Sequence, residues 1–89
     1  MDTPLKIALV EDNDDLRDLL FRDIAKARYA VQSAGCADDL DDLAAMMSFD
    51  VLVLDVNLPG ENGFEIAQRY KQSNSSIYVI MLTARGDPD

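Results

Sequence analysis

Four short apolar runs alternate with amphipathic segments along the whole chain. That alternation restricts the possible folds more than any other feature. The runs cover residues 5–10, 29–33, 50–54 and 77–82. In the third, Val51, Leu52, Val53 and Leu54 follow one another without a polar residue. A strand that is apolar on both sides has to be covered on both sides, as in a parallel sheet between helices. The second run is less apolar than the others and is broken by Gly35.

Between the runs the period changes from two to 3.6. Leu16, Leu19, Leu20, Ile24 and Ala27 recur at helical spacing, with Arg17, Asp18, Arg22, Asp23 and Lys26 between them. This pattern predicts an amphipathic helix, capped by Asn13 or Asp14 and carrying Lys26 and Arg28 at its negative end. Leu40, Leu43, Ala44 and Met47 repeat the pattern behind Asp38 and Asp39. A third helix is predicted through Phe64, Ala67 and Tyr70, opened by Asn62 and Glu65 at capping-box spacing. It follows a turn rich in Pro and Gly, Leu58-Pro59-Gly60. The resulting order is β-α-β-α-β-α-β, which implies parallel pairing through right-handed crossovers.

The chain has 89 residues, enough for one small domain. Its net charge of -9 argues against a grip on nucleic acid or on an anionic membrane. No apolar run approaches the roughly 20 residues of a membrane span, so cytoplasm is the expected location. Cys36 is the single cysteine and histidine is absent. An internal disulfide, a Cys/His zinc site and histidine-based catalysis are therefore excluded for these residues. A phosphohistidine, if one takes part, belongs to a partner.

Ligands of open parallel α/β sheets bind beyond the carboxyl ends of the strands. The first strand delivers Glu11 and Asp12 there, the third Asp55 and the fourth Thr83. One strand-end Asp is commonly only a helix cap. Three acids on one rim repel each other, and a hard divalent cation relieves that repulsion. Mg2+ accepts one or two protein carboxylates together with phosphate oxygens, so these residues point to a Mg2+ site that receives a phosphoryl group. Glu11 could instead face solvent, and Thr83 could bond its own loop. A carboxylate such as Asp55 is also a competent nucleophile toward phosphorus. The irregular segment after it leaves the main-chain carbonyl of Asn57 free to face the rim.

Three motifs in register, Ala8-Leu9-Val10-Glu11-Asp12-Asn13, Val53-Leu54-Asp55-Val56-Asn57-Leu58-Pro59-Gly60 with Gly63 and Phe64, and Met81-Leu82-Thr83-Ala84-Arg85, carry a family resemblance. The chain resembles the receiver domain of bacterial two-component response regulators along essentially its whole length. The resemblance implies a flavodoxin-like (CheY-like) doubly wound sheet of order 2-1-3-4, a signalling role rather than an enzymatic one, and phosphotransfer from a cognate sensor histidine kinase. It makes Asp55 the phosphoacceptor and Thr83 the switch hydroxyl. Glu11, Asp12, Asp55 and the Asn57 carbonyl become the Mg2+ ligands. Docking of the kinase on the first helix is implied as well. The final motif is similar to that of receivers attached to winged-helix DNA-binding domains, which implies a transcriptional parent.

Family receivers continue through a fifth strand with flanking helices and a strand-end lysine. Residues 1–89 are thus expected to be a receiver incomplete at its carboxyl end, since Lys6, Lys26 and Lys71 all lie elsewhere. With nothing beyond it, the fourth strand is an open edge, and self-association through that edge or the sheet face is expected. A Mg2+-dependent phosphohydrolase would commonly carry an Asp two residues after the nucleophile, where this chain has Asn57.

Overall fold

The computed structural model describes residues 3–82. Four parallel strands, β1 (Lys6–Val10), β2 (Ala30–Ala34), β3 (Val51–Asp55) and β4 (Tyr78–Leu82), alternate with three helices, α1 (Asp14–Lys26), α2 (Ala37–Met46) and α3 (Gly63–Ser73). The strand order is β2-β1-β3-β4, as the resemblance implied.

Alternation along the strands divides the core in two. Ala8 and Val10 of β1, with Leu52 and Leu54 of β3, face Leu40 of α2 and Ile66 of α3. Ile7, Leu9 and Val53 face the other way, against Leu20, Phe21 and Ile24 of α1. Leu9, Leu40, Leu52, Leu54 and Ile66 are fully buried. Each such side chain contributes on the order of 2 kcal/mol by leaving water. The central pair β1 and β3 is therefore the most apolar part of the sheet. At its margin, Tyr78 and Ile80 of β4 are 65% and 42% exposed. Among the described residues β4 has β3 as its only strand neighbour.

The local signals act where the sequence placed them. The Asn13 side chain accepts the N–H of Leu16 and caps α1. Asn62 and Glu65 exchange bonds of 2.9 and 3.0 Å in a complete capping box at α3. Gly60 takes φ 75°, a conformation open to glycine at little cost, in the turn before α3. Arg28 adopts φ 74° just beyond α1 and re-aims the chain into β2. This strand starts one residue later than expected, at Ala30, because pairing of Lys6 with Ala30 fixes its register.

Candidate metal and phosphoryl site

Register brings the acids together. Val10 of β1 pairs with Leu54 of β3, so the residues that follow them, Glu11 and Asp55, leave the sheet side by side. Parallel neighbours lie about 4.8 Å apart. Glu11, Asp12 and Asp55 each present a carboxylate oxygen, and these oxygens all lie within 4.8 Å of one another. Glu11 and Asp55 are buried, at 3% and 5% exposure, whereas Asp12 is open to solvent.

Backbone groups fix the two buried carboxylates. The Asn13 N–H donates to Glu11 Oε2 at 3.1 Å, and the Asn57 N–H donates to Asp55 Oδ1 at 3.2 Å. Glu11 is further held through its main chain. Its N–H donates to the Ala34 carbonyl at 3.0 Å, and its carbonyl accepts from Arg17 Nη1 at 2.9 Å. Arg17 also bonds Asp14 at 2.7 Å. Among the described residues no Lys or Arg forms an ion pair with Glu11, Asp12 or Asp55. Burial pushes the Glu11 carboxyl above the ordinary carboxylate range, against the lowering effect of the Asn13 N–H, and the nearby charges of Asp55 and Asp12 add to the rise.

Three converging oxygen donors, two of them buried and none neutralised by a basic side chain among the described residues, fit a small hard cation. Asp12 and Asn57 also line an open groove with Pro59 and Phe64, which gives a ligand access from solvent. The segment after Asp55 is held at both ends. The Val56 N–H donates to the Leu82 carbonyl, and the Val56 carbonyl accepts from Gly63, both at 3.1 Å. Leu58 is buried beneath it.

The structure thus unites Glu11, Asp12 and Asp55, and brings Asn57 to Asp55 through its N–H. Thr83 lies outside the described residues. Two features leave no local mark in the sequence. One is Arg17, whose helical position shows nothing of its bond to the Glu11 carbonyl. The other is a cluster of Asp41, Glu61, Arg69 and Tyr70, whose members stand up to 29 residues apart.

Comparison with known proteins gives one family. The model of the response regulator receiver domain matches residues 7–89. The transcriptional regulatory protein PmrA of Pectobacterium parmentieri is 31% identical over 85 residues, which is 96% of this chain and 38% of that protein. The chain therefore spans little more than a third of such a relative. Among solved structures, the non-phosphorylated HemR receiver domain of Leptospira biflexa is 30% identical with a TM-score of 0.83, over 96% of this chain and 68% of that one. The BeF3-activated DrrB receiver domain is 29% identical with a TM-score of 0.81, over 97% and 71%. Fold, acidic rim and family match converge, and the chain belongs to the receiver domains of two-component response regulators.

Proposed function

We propose that Asp55 accepts a phosphoryl group from the phosphohistidine of a cognate sensor kinase, in the cytoplasm, and that the parent protein is a transcriptional regulator. The observation that carries this reading is the convergence of Glu11, Asp12 and Asp55 oxygens within 4.8 Å at the carboxyl end of β1 and β3. An Asp55 carboxylate oxygen attacks phosphorus, a P–O bond forms, and the P–N bond to the partner's imidazole breaks. The imidazole leaves with the electron pair and takes a proton. Glu11, Asp12, Asp55 and the main-chain carbonyl of Asn57 would hold Mg2+. When bound, the ion offsets the charge of the acids and of the phosphoryl oxygens. The Asn57 N–H holds one Asp55 carboxylate oxygen, Oδ1, at 3.2 Å. Thr83, the residue after Leu82 in the sequence, would donate its hydroxyl to a phosphoryl oxygen.

On α1, Leu20 packs against the core, whereas Leu16 and Leu19 are 41% and 55% exposed. Leu16 and Leu19 are the apolar positions available to the kinase. The exposed edge of β4, with Tyr78 and Ile80, supports self-association of this chain. Among the described residues no helix is long and apolar enough to cross a membrane.

The test is a melting experiment with Mg2+ and beryllofluoride, a phosphoryl mimic. The wild-type melting temperature is expected to rise, and Asp55→Ala to abolish the rise. An equal rise in Asp55→Ala, or none in the wild type, would contradict the proposal.

A further inference from the structure

The segment 56–62 joins Asp55 to α3 and carries Asn57. Its far end is held at Asn62 by the capping box of α3 and at Glu61 by the side chain of Arg69. Arg69 Nε and Nη2 donate to the two carboxylate oxygens of Glu61 at 2.9 and 2.8 Å. The same guanidinium donates through Nη1 and Nη2 to both oxygens of Asp41 on α2, at 3.1 and 3.2 Å. Asp41 also accepts the Tyr70 hydroxyl at 2.6 Å. Two-pronged bonds from a planar guanidinium fix direction as well as distance. Arg69 also lies 5.2 Å from the centre of the Tyr70 ring, which limits its own freedom.

Charge makes this arrangement sensitive to loss of its centre. Glu61 and Asp41 are both acids and, among the described residues, are bridged by Arg69. Without that cation they would repel, and the repulsion would push the segment away from α2. Glu61 is four residues beyond Asn57, so the displacement would act on the residue whose N–H holds Asp55. We propose that Arg69 is a positioning residue of the Mg2+ site, holding Glu61 to Asp41 so that Asn57 stays beside Asp55. This rests on the reading of the acidic cluster as a Mg2+ site.

Calorimetric titration of the chain with Mg2+, paired with thermal unfolding, tests it. Wild type is expected to bind Mg2+ and Asp12→Asn to bind it much more weakly. Arg69→Ala is expected to weaken binding by about tenfold, the range seen when groups that orient metal ligands are removed. The sign is decisive. Loss of a positive charge acting only through space would tighten Mg2+ binding, and a purely architectural role would lower the melting temperature with affinity unchanged. Either result would overturn the proposal. Arg69→Lys keeps the charge without the fork and is expected to fall between the two. If Arg69→Ala does not fold, wild-type affinity in Arg69→Lys overturns the proposal instead. If wild type itself fails to bind Mg2+, the underlying reading of the site fails first, and the role of Arg69 falls with it.

Discussion

The backbone of Gly63 packs so closely on the carbonyl oxygen of Asp55 that a Cβ at position 63 would overlap it. The same Cβ would stand 3.0 Å from Val56 Cα and from Met81 Cε. Met81 can yield, but the two backbone neighbours cannot. Gly63→Ala is therefore expected to destabilise the fold by about 1–3 kcal/mol, the usual cost of overpacking. It should also shift Asp55 and weaken the response to Mg2+ with beryllofluoride. Urea unfolding and the melting assay measure the two effects.

Like charges at the rim act against the metal-free fold. Asp55→Asn removes one of three converging charges and keeps an oxygen able to accept the Asn57 N–H. Its stability without metal should exceed that of wild type by about 1 kcal/mol, a Coulomb gain discounted for the exposure of Asp12. Its stabilisation by Mg2+ should be smaller. Thermal unfolding with and without Mg2+ gives both numbers, and equal Mg2+ stabilisation in the two proteins would exclude Asp55 from the site.

Tyr70 links stability to alkaline pH. Burial and the bond to Asp41 raise its phenol above the ordinary value, holding it neutral in the fold. A raised folded-state value means that the unfolded chain ionises first as pH rises. The contribution is complete below about pH 10, the unfolded phenol value, and is lost as pH climbs toward the folded one. Tyr70→Phe should cost about 1–2 kcal/mol at neutral pH through the lost bond to Asp41. The gap to wild type should narrow above pH 10. Denaturant unfolding from pH 7 to 11 would check this, and a constant gap would show that the hydroxyl is not held neutral.

The margin of the sheet predicts an association equilibrium. Ile80 is 42% exposed on β4 and stands opposite Val53. A charge on such a strand discourages pairing with another chain. Ile80→Lys is expected to shift the chain toward monomer in sedimentation equilibrium, with little change in its circular dichroism.

How far the sequence could be read depended on the range of each interaction. Asn13, and the pair Asn62 with Glu65, act within one helical turn, so their caps were visible as spacing. Phe64 marks where local pattern stops being informative. It lies in the helix expected through Phe64, Ala67 and Tyr70, yet it is 62% exposed, whereas Ile66 is fully buried. Both carry apolar side chains, and only the docking angle of the helix on β3 selects between them. The choice of Leu20 over Leu16 and Leu19 on α1 has the same origin.

The sequence alone determined the alternation of strands and helices, the caps, and the acids that end the strands. These follow from period, charge and residue type, which are properties of neighbours along the chain. Only the tertiary structure decided that Glu11 and Asp55 emerge side by side, that Gly63 leaves room for the Asp55 carbonyl, and that Arg69 joins Asp41 to Glu61. Those relationships depend on strand register and helix packing, where residues far apart in the chain meet and no local pattern records the meeting.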